Sequence, residues 1–237
     1  MNYYIASCVF TTKFPELSFR IQEYVRKRGD IEIVRCCVPS YKLKEFTEKM
    51  PAHLQSRWAA IPDSADFGEG DIVYSLCHNC SAIIDEWRPG AVARSLWELI
   101  DEDPSFPLPD LGGAAAYVQD CWRARDRENE QNSVRSLLNK MNLHVLETEP
   151  NRDKTDFCGV SLYRPAPPRN LKLAPKRFVE NAPGLFIPHT DEEQKILMEN
   201  HVRAFHGKKV ICYCHYCHEG LTLGGADAYH LAELLFR

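Results

Sequence analysis

The 237-residue sequence lacks an excess of charge of either sign. Its 29 lysines and arginines nearly balance its 33 aspartates and glutamates, and the net charge at pH 7 is −4. Nucleic acids and anionic membranes attract strongly basic surfaces, which a chain of this composition does not supply. We therefore expect no nucleic-acid partner.

Long apolar runs are also missing. No stretch approaches the roughly 18–20 apolar residues that a membrane-spanning helix needs. The opening segment, MNYYIASCVF, enters an apolar run without a basic leader. These absences predict a cytoplasmic protein that has no membrane span.

A third absence is the glycine-rich signature of nucleotide-binding folds. Glycine pairs occur at Gly112-Gly113 and Gly224-Gly225, but neither belongs to a G-x-G-x-x-G motif after a strand. No flavin or nicotinamide site is therefore expected. The electrons for any redox reaction would have to come from another protein.

Cysteine, in contrast, is abundant. A chain of this length can build a core without disulfides, and clustered cysteines in a reducing compartment bind metal more often than each other. The cysteines are therefore the first candidates for function. They are Cys8, Cys36, Cys37, Cys77, Cys80, Cys121, Cys158, Cys212, Cys214 and Cys217.

The cysteines recur in two passes of one pattern. Each pass opens with a strand-like run that ends in a cysteine, Cys8 or Cys121, and continues into an amphipathic helix and a short β-type run. Next comes Cys36-Cys37 in the first pass and Cys158 in the second. A further apolar strand then leads into a C-x-x-C motif, and each pass closes with a similar helix. The two motifs are Cys77–Cys80 and Cys214–Cys217.

Five features in one order indicate a duplication. We predict an α/β protein made of two duplicated strand–helix–strand halves with mainly parallel sheets. The cysteines lie where strands give way to loops, which is the usual place for a site in an open α/β sheet. Cysteine sites are therefore expected at the strand ends.

The segment 101–113, DEDPSFPLPDLGG, has the proline and glycine content of a linker. It predicts a first half at 1–105 and a second half at 112–237. The second half contains a proline-rich insert at about 160–195. A segment of this kind is a lid, a partner-binding surface, or a surface loop without a role.

The five thiols of the first half exceed what one zinc ion can use, because zinc saturates at four tetrahedral ligands. Iron–sulfur clusters offer several irons, and each takes a thiolate. Zinc and a metal-free redox dithiol remain as alternatives, because C-x-x-C alone also marks those sites. We expect neither C-x-x-C to open a helix in a thioredoxin-like unit, which speaks against the dithiol.

A single cysteine, a cysteine pair and a C-x-x-C, repeated twice, resemble the cysteine-rich CCG domain. That domain occurs in the B subunit of heterodisulfide reductase and in iron–sulfur subunits of lactate and glycolate oxidation complexes. The resemblance implies a [4Fe-4S] cluster in each half, noncubane in the reductase branch. It also implies one-electron cleavage of a disulfide, with a flavoprotein or ferredoxin-like subunit as electron partner.

Two departures from the CCG pattern stand out. Val38 replaces the glycine of the first half, and Phe157 replaces the first cysteine of the second pair. The second half keeps Cys121, Cys158, Cys214 and Cys217, a set that suits a cubane cluster or zinc. Cys212 would supply a fifth ligand if it shared a strand face with Cys214.

Charged and imidazole side chains surround the cysteines. His78 and His215 lie inside the C-x-x-C motifs, where they would tune a cluster by hydrogen bonding, relay a proton, or simply face solvent. Asp120 and Arg123 flank Cys121, and we expect these loop charges to be solvated.

These observations predict an iron–sulfur electron-transfer subunit of a disulfide reductase or related oxidoreductase complex, with a disulfide or small thiol as substrate. In this hypothesis the first site carries the sulfur chemistry and the second relays electrons. The alternative is a zinc-binding structural or interaction protein.

Overall fold

The computed structural model describes all 237 residues. The chain divides into two compact units, Met1–Leu96 with Phe236 and Trp97–Leu235 with Arg237. Each unit contains one four-stranded sheet in which all strands are parallel. The predicted α/β class with parallel sheets is confirmed.

The first sheet has the strand order β2-β1-β3-β4. Its strands are β1 (Asn2–Ile5), β2 (Glu32–Val34), β3 (Ile72–Ser75) and β4 (Val92–Ser95). The helices of this part of the chain are α1 (Cys8–Lys13), α2 (Pro15–Arg28), α3 (Leu43–Glu48), α4 (Ala52–Ala59), α5 (His78–Trp87) and α6 (Leu96–Asp101).

Helix α2 shows why the local sequence folds as predicted. Pro15 occupies its first turn, where a missing N–H costs nothing, and Gly29 ends it with a φ of 77°. Ile21 and Val25, one turn apart, are fully buried. The apolar stripe of the sequence is therefore the face that packs into the core.

The second sheet repeats the order, as β6-β5-β7-β8. Its strands are β5 (Ala115–Gln119), β6 (His144–Glu147), β7 (Val210–Cys212) and β8 (Ala228–His230). Five helices follow α6 in the chain. They are α7 (Glu128–Lys140), α8 (Pro168–Leu173), α9 (Asp191–Val202), α10 (His215–Leu223) and α11 (Leu231–Leu235).

The proline-rich insert contains regular structure that the sequence pattern did not reveal. A 3₁₀ turn covers Gly159–Tyr163, helix α8 follows, and a π-helical turn covers Lys176–Glu180. Helix α9 begins at Asp191 behind a capping box, in which Thr190 and Glu193 exchange hydrogen bonds. Much of the insert is therefore helical.

The strand order creates a switch point in each sheet. β1 lies between β2 and β3, so the chain leaves the carboxyl end of β1 toward one side and the carboxyl end of β3 toward the other. β5 lies in the same way between β6 and β7. A crevice opens at such a point, and open α/β sheets bind ligands there.

Candidate metal centre

Four cysteines of the second unit form one buried cluster. Their sulfur atoms all lie within 4.8 Å of one another. The Sγ of Cys158 is 3.3 Å from that of Cys121 and 3.9 Å from that of Cys214. Cys217 completes the group, and none of the four is more than 3 % exposed. This arrangement could hold a metal ion or an iron–sulfur cluster.

The switch point of the second sheet explains how distant cysteines meet. Cys121 follows the carboxyl end of β5, and Cys158 lies on the segment after β6. Cys214 is the N-cap of α10, and Cys217 lies in the first turn of that helix, directly after β7. Three strand ends of one parallel sheet therefore converge on the same crevice.

Gly159 allows Cys158 to approach the C-x-x-C motif. Its φ is +57°, and a Cβ there would overlap the carbonyl oxygen of Tyr216. Gly220 meets it from the other side, since a Cβ on Gly220 would lie 2.5 Å from the Cα of Gly159. The turn after Cys158 therefore packs backbone to backbone against α10.

Arg123 is buried beside the cluster, so the expectation that it is solvated was wrong. It is 3 % exposed, and its Nη1 donates hydrogen bonds to Cys158 Sγ at 2.5 Å and to Ser161 Oγ at 2.8 Å. Aromatic rings surround its guanidinium at 5.1–5.8 Å; they belong to Trp122, Phe178, Phe186 and Tyr216. The rings and the thiols together accommodate a buried cation.

Asp120 was also wrongly expected to be solvated. Its carboxylate is buried, accepts two hydrogen bonds from Arg135 at 2.7 and 3.0 Å, and accepts a third from the hydroxyl of Tyr213 at 2.7 Å. Burial raises the pKa of Asp120, but these partners outweigh it and hold the pKa below its usual value. Because Asp120 precedes Cys121 and Tyr213 precedes Cys214, the bond joins two ligand-bearing segments.

The thiols differ in acidity. Burial, together with hydrogen bonds from other thiols, raises the pKa of Cys121 and Cys217 well above the ordinary value. Burial also raises the pKa of Cys158, but hydrogen bonds with Cys121 and Cys217 and the charge of Arg123 overcome it, so the net pKa is lowered. Deprotonation is thus easier at Cys158 than at Cys121 or Cys217, and the thiolate is the metal-binding form.

Cys212 lies apart from the four. It is the last residue of β7, pairs with His230 of β8, and donates from Sγ to the carbonyl oxygen of Tyr229 at 3.6 Å. The strand ends before Cys214, so the alternation that would place the two on one face does not extend that far.

The five cysteines of the first unit occupy matching places. Cys8 begins α1, Cys36 and Cys37 follow β2, and Cys77 and Cys80 open α5. All five are buried. Cys8 Sγ lies 4.0 Å from Cys36 Sγ, and hydrogen bonds with Cys37 and Cys77 raise the pKa of Cys80. The carboxyl ends of the first sheet therefore carry buried thiols in the same order, but the group of four sulfurs within 4.8 Å of one another lies in the second unit.

Both C-x-x-C motifs open helices, contrary to expectation. Cys77 is the N-cap of α5 and Cys214 is the N-cap of α10, each after a parallel strand. The helix N-terminus stabilises a thiolate. The position of the two motifs at helix N-termini is therefore compatible with a redox dithiol.

The two C-x-x-C histidines are buried rather than exposed. His78 is 3 % exposed and His215 is 2 % exposed, and each is the first residue of its helix. The ring of His215 lies 4.2 Å from that of Tyr216. The solvent-facing alternative is therefore wrong for both, and they remain beside the ligand-bearing turns.

The sequence pattern points to Arg123 and Asp120 but not to their burial, and nothing in the pattern singles out Ser161 or Tyr213. A usable signal for Asp120 was its place directly before a cysteine at a strand end. For Arg123 the signal was its place next to Trp122, a side chain that is rarely left in solvent.

Comparison of the chain with protein-family models, with curated proteins and with solved structures finds no match. None of the helices combines the length and the apolar character that crossing a membrane would require.

Proposed function

We propose that the chain is an iron–sulfur electron-transfer protein. The observation that carries this proposal is the recurrence of buried cysteines at the carboxyl ends of both sheets, with five cysteines in the first unit and the four-sulfur cluster in the second. Thiolates are soft ligands that suit iron–sulfur clusters and zinc. When bound, a cluster would supply one-electron transfer.

The repetition of the arrangement supports iron–sulfur over a single structural ion. The first sheet has the same strand order, and its carboxyl ends gather five buried cysteines. Four thiolates saturate one zinc ion, whereas a cluster with several irons accommodates a further thiol. The CCG-like order of these cysteines points in the same direction.

Arg123 suits a redox centre because it places a buried positive charge against a ligand sulfur. Hydrogen bonds to the sulfurs and the net charge around a cluster set its reduction potential. The guanidinium of Arg123 offsets part of the negative charge of the thiolates, and reduction adds another negative charge. It therefore favours the reduced form.

The finer proposal is that the protein serves a disulfide reductase or related oxidoreductase complex in the cytoplasm. A flavoprotein or ferredoxin-like partner supplies the electrons. A disulfide takes up two electrons and two protons, its S–S bond breaks, and two thiols leave. The CCG-like cysteine order supports this role.

A second candidate, a zinc-binding structural protein, is favoured by the sulfur spacing. Four thiolates at about 2.3 Å from one zinc ion stand about 3.8 Å apart in a tetrahedron. The observed separations of 3.3 and 3.9 Å approach this value. A cluster places each thiolate on its own iron, so the sulfurs would have to move apart to hold one.

Anaerobic purification followed by counting of iron, acid-labile sulfide and zinc tests the proposal. We expect iron and sulfide in equal amounts together with visible absorption. The Cys217→Ser variant should lose the iron of the second unit, and the Cys212→Ser variant, the matched control, should keep it. Zinc alone would replace the proposal by the second candidate, and a metal-free protein would overturn both.

A further inference from the structure

A cavity of about 410 Å³ adjoins the cysteine cluster within the second unit. The segment Phe157–Gly159 forms one part of its wall, so the cavity reaches the chain at Cys158 itself. Met198 and His201 on helix α9 form another part. A volume of this size suits a small molecule rather than a few waters.

The proline-rich insert completes the cavity. Leu162, Tyr163, Leu185 and Ile187 all contribute to the wall. In the first unit 39 residues separate Cys37 from its C-x-x-C, whereas 55 separate Cys158 from the second motif. The additional chain is therefore used, at least in part, to enclose a space next to the cluster.

The charge of the wall restricts what this space would accept. No lysine or arginine lines it, and Asp156 is its one carboxylate. The side chains of the wall that can take up a positive charge are the imidazoles of His189 and His201. A phosphate or carboxylate group would lie near Asp156 with no lysine or arginine of the wall to pair with, at a substantial desolvation cost. The wall therefore selects against anions.

The side chains of the wall favour a flat ring. The rings of Phe157 and His201 stack at 3.7 Å and 6°, and those of Tyr163 and His189 meet edge to face at 5.0 Å. Leucine, isoleucine and methionine side chains supply the rest of the apolar lining. Aromatic ligands gain contact area and favourable ring geometry from such walls.

We propose that this cavity binds an uncharged aromatic small molecule beside the cysteine cluster. Phe157 stands where the first pass of the cysteine pattern has Cys36. Its replacement removes a thiol and supplies part of the cavity wall. The proposal goes beyond electron transfer and does not depend on which metal the cluster holds.

Methionine-methyl NMR of the full-length, metal-loaded protein tests the proposal, because the chain has only four methionines and Met198 lines the cavity. The probe is 2-naphthol, which is uncharged at neutral pH. We expect the Met198 resonance to shift on titration while that of Met50, in the first unit, stays unchanged. Binding without a shift of Met198, or no binding, would overturn the proposal.

Equilibrium dialysis compares the binding of two probes to the protein and the binding of 2-naphthol to two variants. The anion 2-naphthoate should bind at least tenfold more weakly than 2-naphthol, and equal binding would contradict the charge argument. Asn200 is exposed and lines the cavity, so Asn200→Trp should weaken 2-naphthol binding at least tenfold. Glu199→Trp, at an exposed neighbouring position outside the lining, is the matched control and should bind normally.

Metal content, counted on the same samples, separates this proposal from the proposed function. Binding of 2-naphthol to a zinc-loaded protein would support the cavity and refute the iron–sulfur role. A protein that contains iron and sulfide but does not bind 2-naphthol would support the iron–sulfur role and refute the proposed cavity ligand. If Asn200→Trp and Glu199→Trp weaken binding equally, the probe does not occupy this cavity and the proposal fails.

Discussion

Nη1 of Arg123 donates a hydrogen bond to Sγ of Cys158 at 2.5 Å, inside a shell of aromatic rings. The contact places the full charge of a guanidinium on one of the four clustered sulfurs. Burial tends to lower the pKa of Arg123, but the interaction with the cysteines, Cys158 above all, outweighs burial and raises the pKa, so the arginine stays charged. A positive charge is therefore built into the cluster beside the sulfur of Cys158.

Removal of this charge should change the electronic properties of the centre. We expect Arg123→Gln to lower the reduction potential of the second-unit centre by about 60 mV or more, a tenfold change for one electron. Arg123→Lys, which keeps the charge, should recover part of the loss. Anaerobic redox titration measures both.

Arg125→Gln, two positions away and exposed, is the control for Arg123→Gln and should leave the potential unchanged. Equal potentials in the wild type and in Arg123→Gln would show that the hydrogen bond to Cys158 does not tune the centre.

Gly159 should be essential for assembly of the cluster. An alanine there combines a positive φ with an overlap against the carbonyl oxygen of Tyr216, so we expect a loss of about 3 kcal/mol or more in the free energy of unfolding. Bound metal should fall together with stability, because Cys158 would move from the C-x-x-C. Urea denaturation and metal analysis check this.

The matched control for Gly159→Ala is Gly225→Ala. Gly225 also has a positive φ, but a Cβ there meets nothing within 4 Å. Gly225→Ala should lower the free energy of unfolding by only about 1 kcal/mol, through backbone strain, and leave the metal content intact. Similar losses in both variants would mean that backbone strain, rather than close packing on α10, explains the glycine.

The Asp120–Tyr213 hydrogen bond should hold the ligand-bearing segments in place. Asp120→Asn removes a buried charge partner of Arg135, and we expect it to cost about 3 kcal/mol of unfolding free energy. Tyr213→Phe removes one hydrogen bond and should cost about 1–2 kcal/mol.

A double-mutant cycle that combines Asp120→Ala with Tyr213→Phe tests this coupling, because an asparagine at position 120 would keep an oxygen that can accept the hydrogen bond from Tyr213. Because Tyr213 donates directly to Asp120, the two losses should be less than additive when combined. Strict additivity, measured by urea denaturation of all four proteins, would contradict the bond.

His201 should make the protein less stable in mild acid. Burial is the main cause that lowers its pKa from 6.5 to about 4. Between pH 6.5 and about pH 4 the unfolded chain therefore binds a proton at His201, whereas the folded chain does not. The free energy of unfolding falls as the pH decreases through this range. Between pH 7 and pH 5 we expect a loss of about 2 kcal/mol from this residue.

Urea denaturation at the two pH values checks this effect. His201→Gln should remove about that much of the pH dependence, whereas His53→Gln, at an exposed histidine, should not. An unchanged pH dependence in His201→Gln would show that His201 titrates normally in the folded protein.

Much of the fold was readable from the chain. The stripe of α2, with Ile21 and Val25, and the alternation of strands and helices predicted the parallel α/β sheets. The fourth strands β4 and β8 were not predicted, because Val92–Ser95 and Ala228–His230 are too short and too mixed to show an alternating pattern. Their pairing is decided by neighbouring strands.

The identity of the thiols, their order and the strand ends that they follow can all be read from the sequence. Which sulfurs meet depends on how the strands are arranged in space. Convergence of Cys121, Cys158 and Cys214 depends on the strand order, in which β5 lies between β6 and β7. Arg123 and Asp120 are buried against partners that are distant in the chain, Cys158 and Tyr213 respectively. The environment of a charged side chain is set by the groups that pack around it in space and not by its neighbours in sequence.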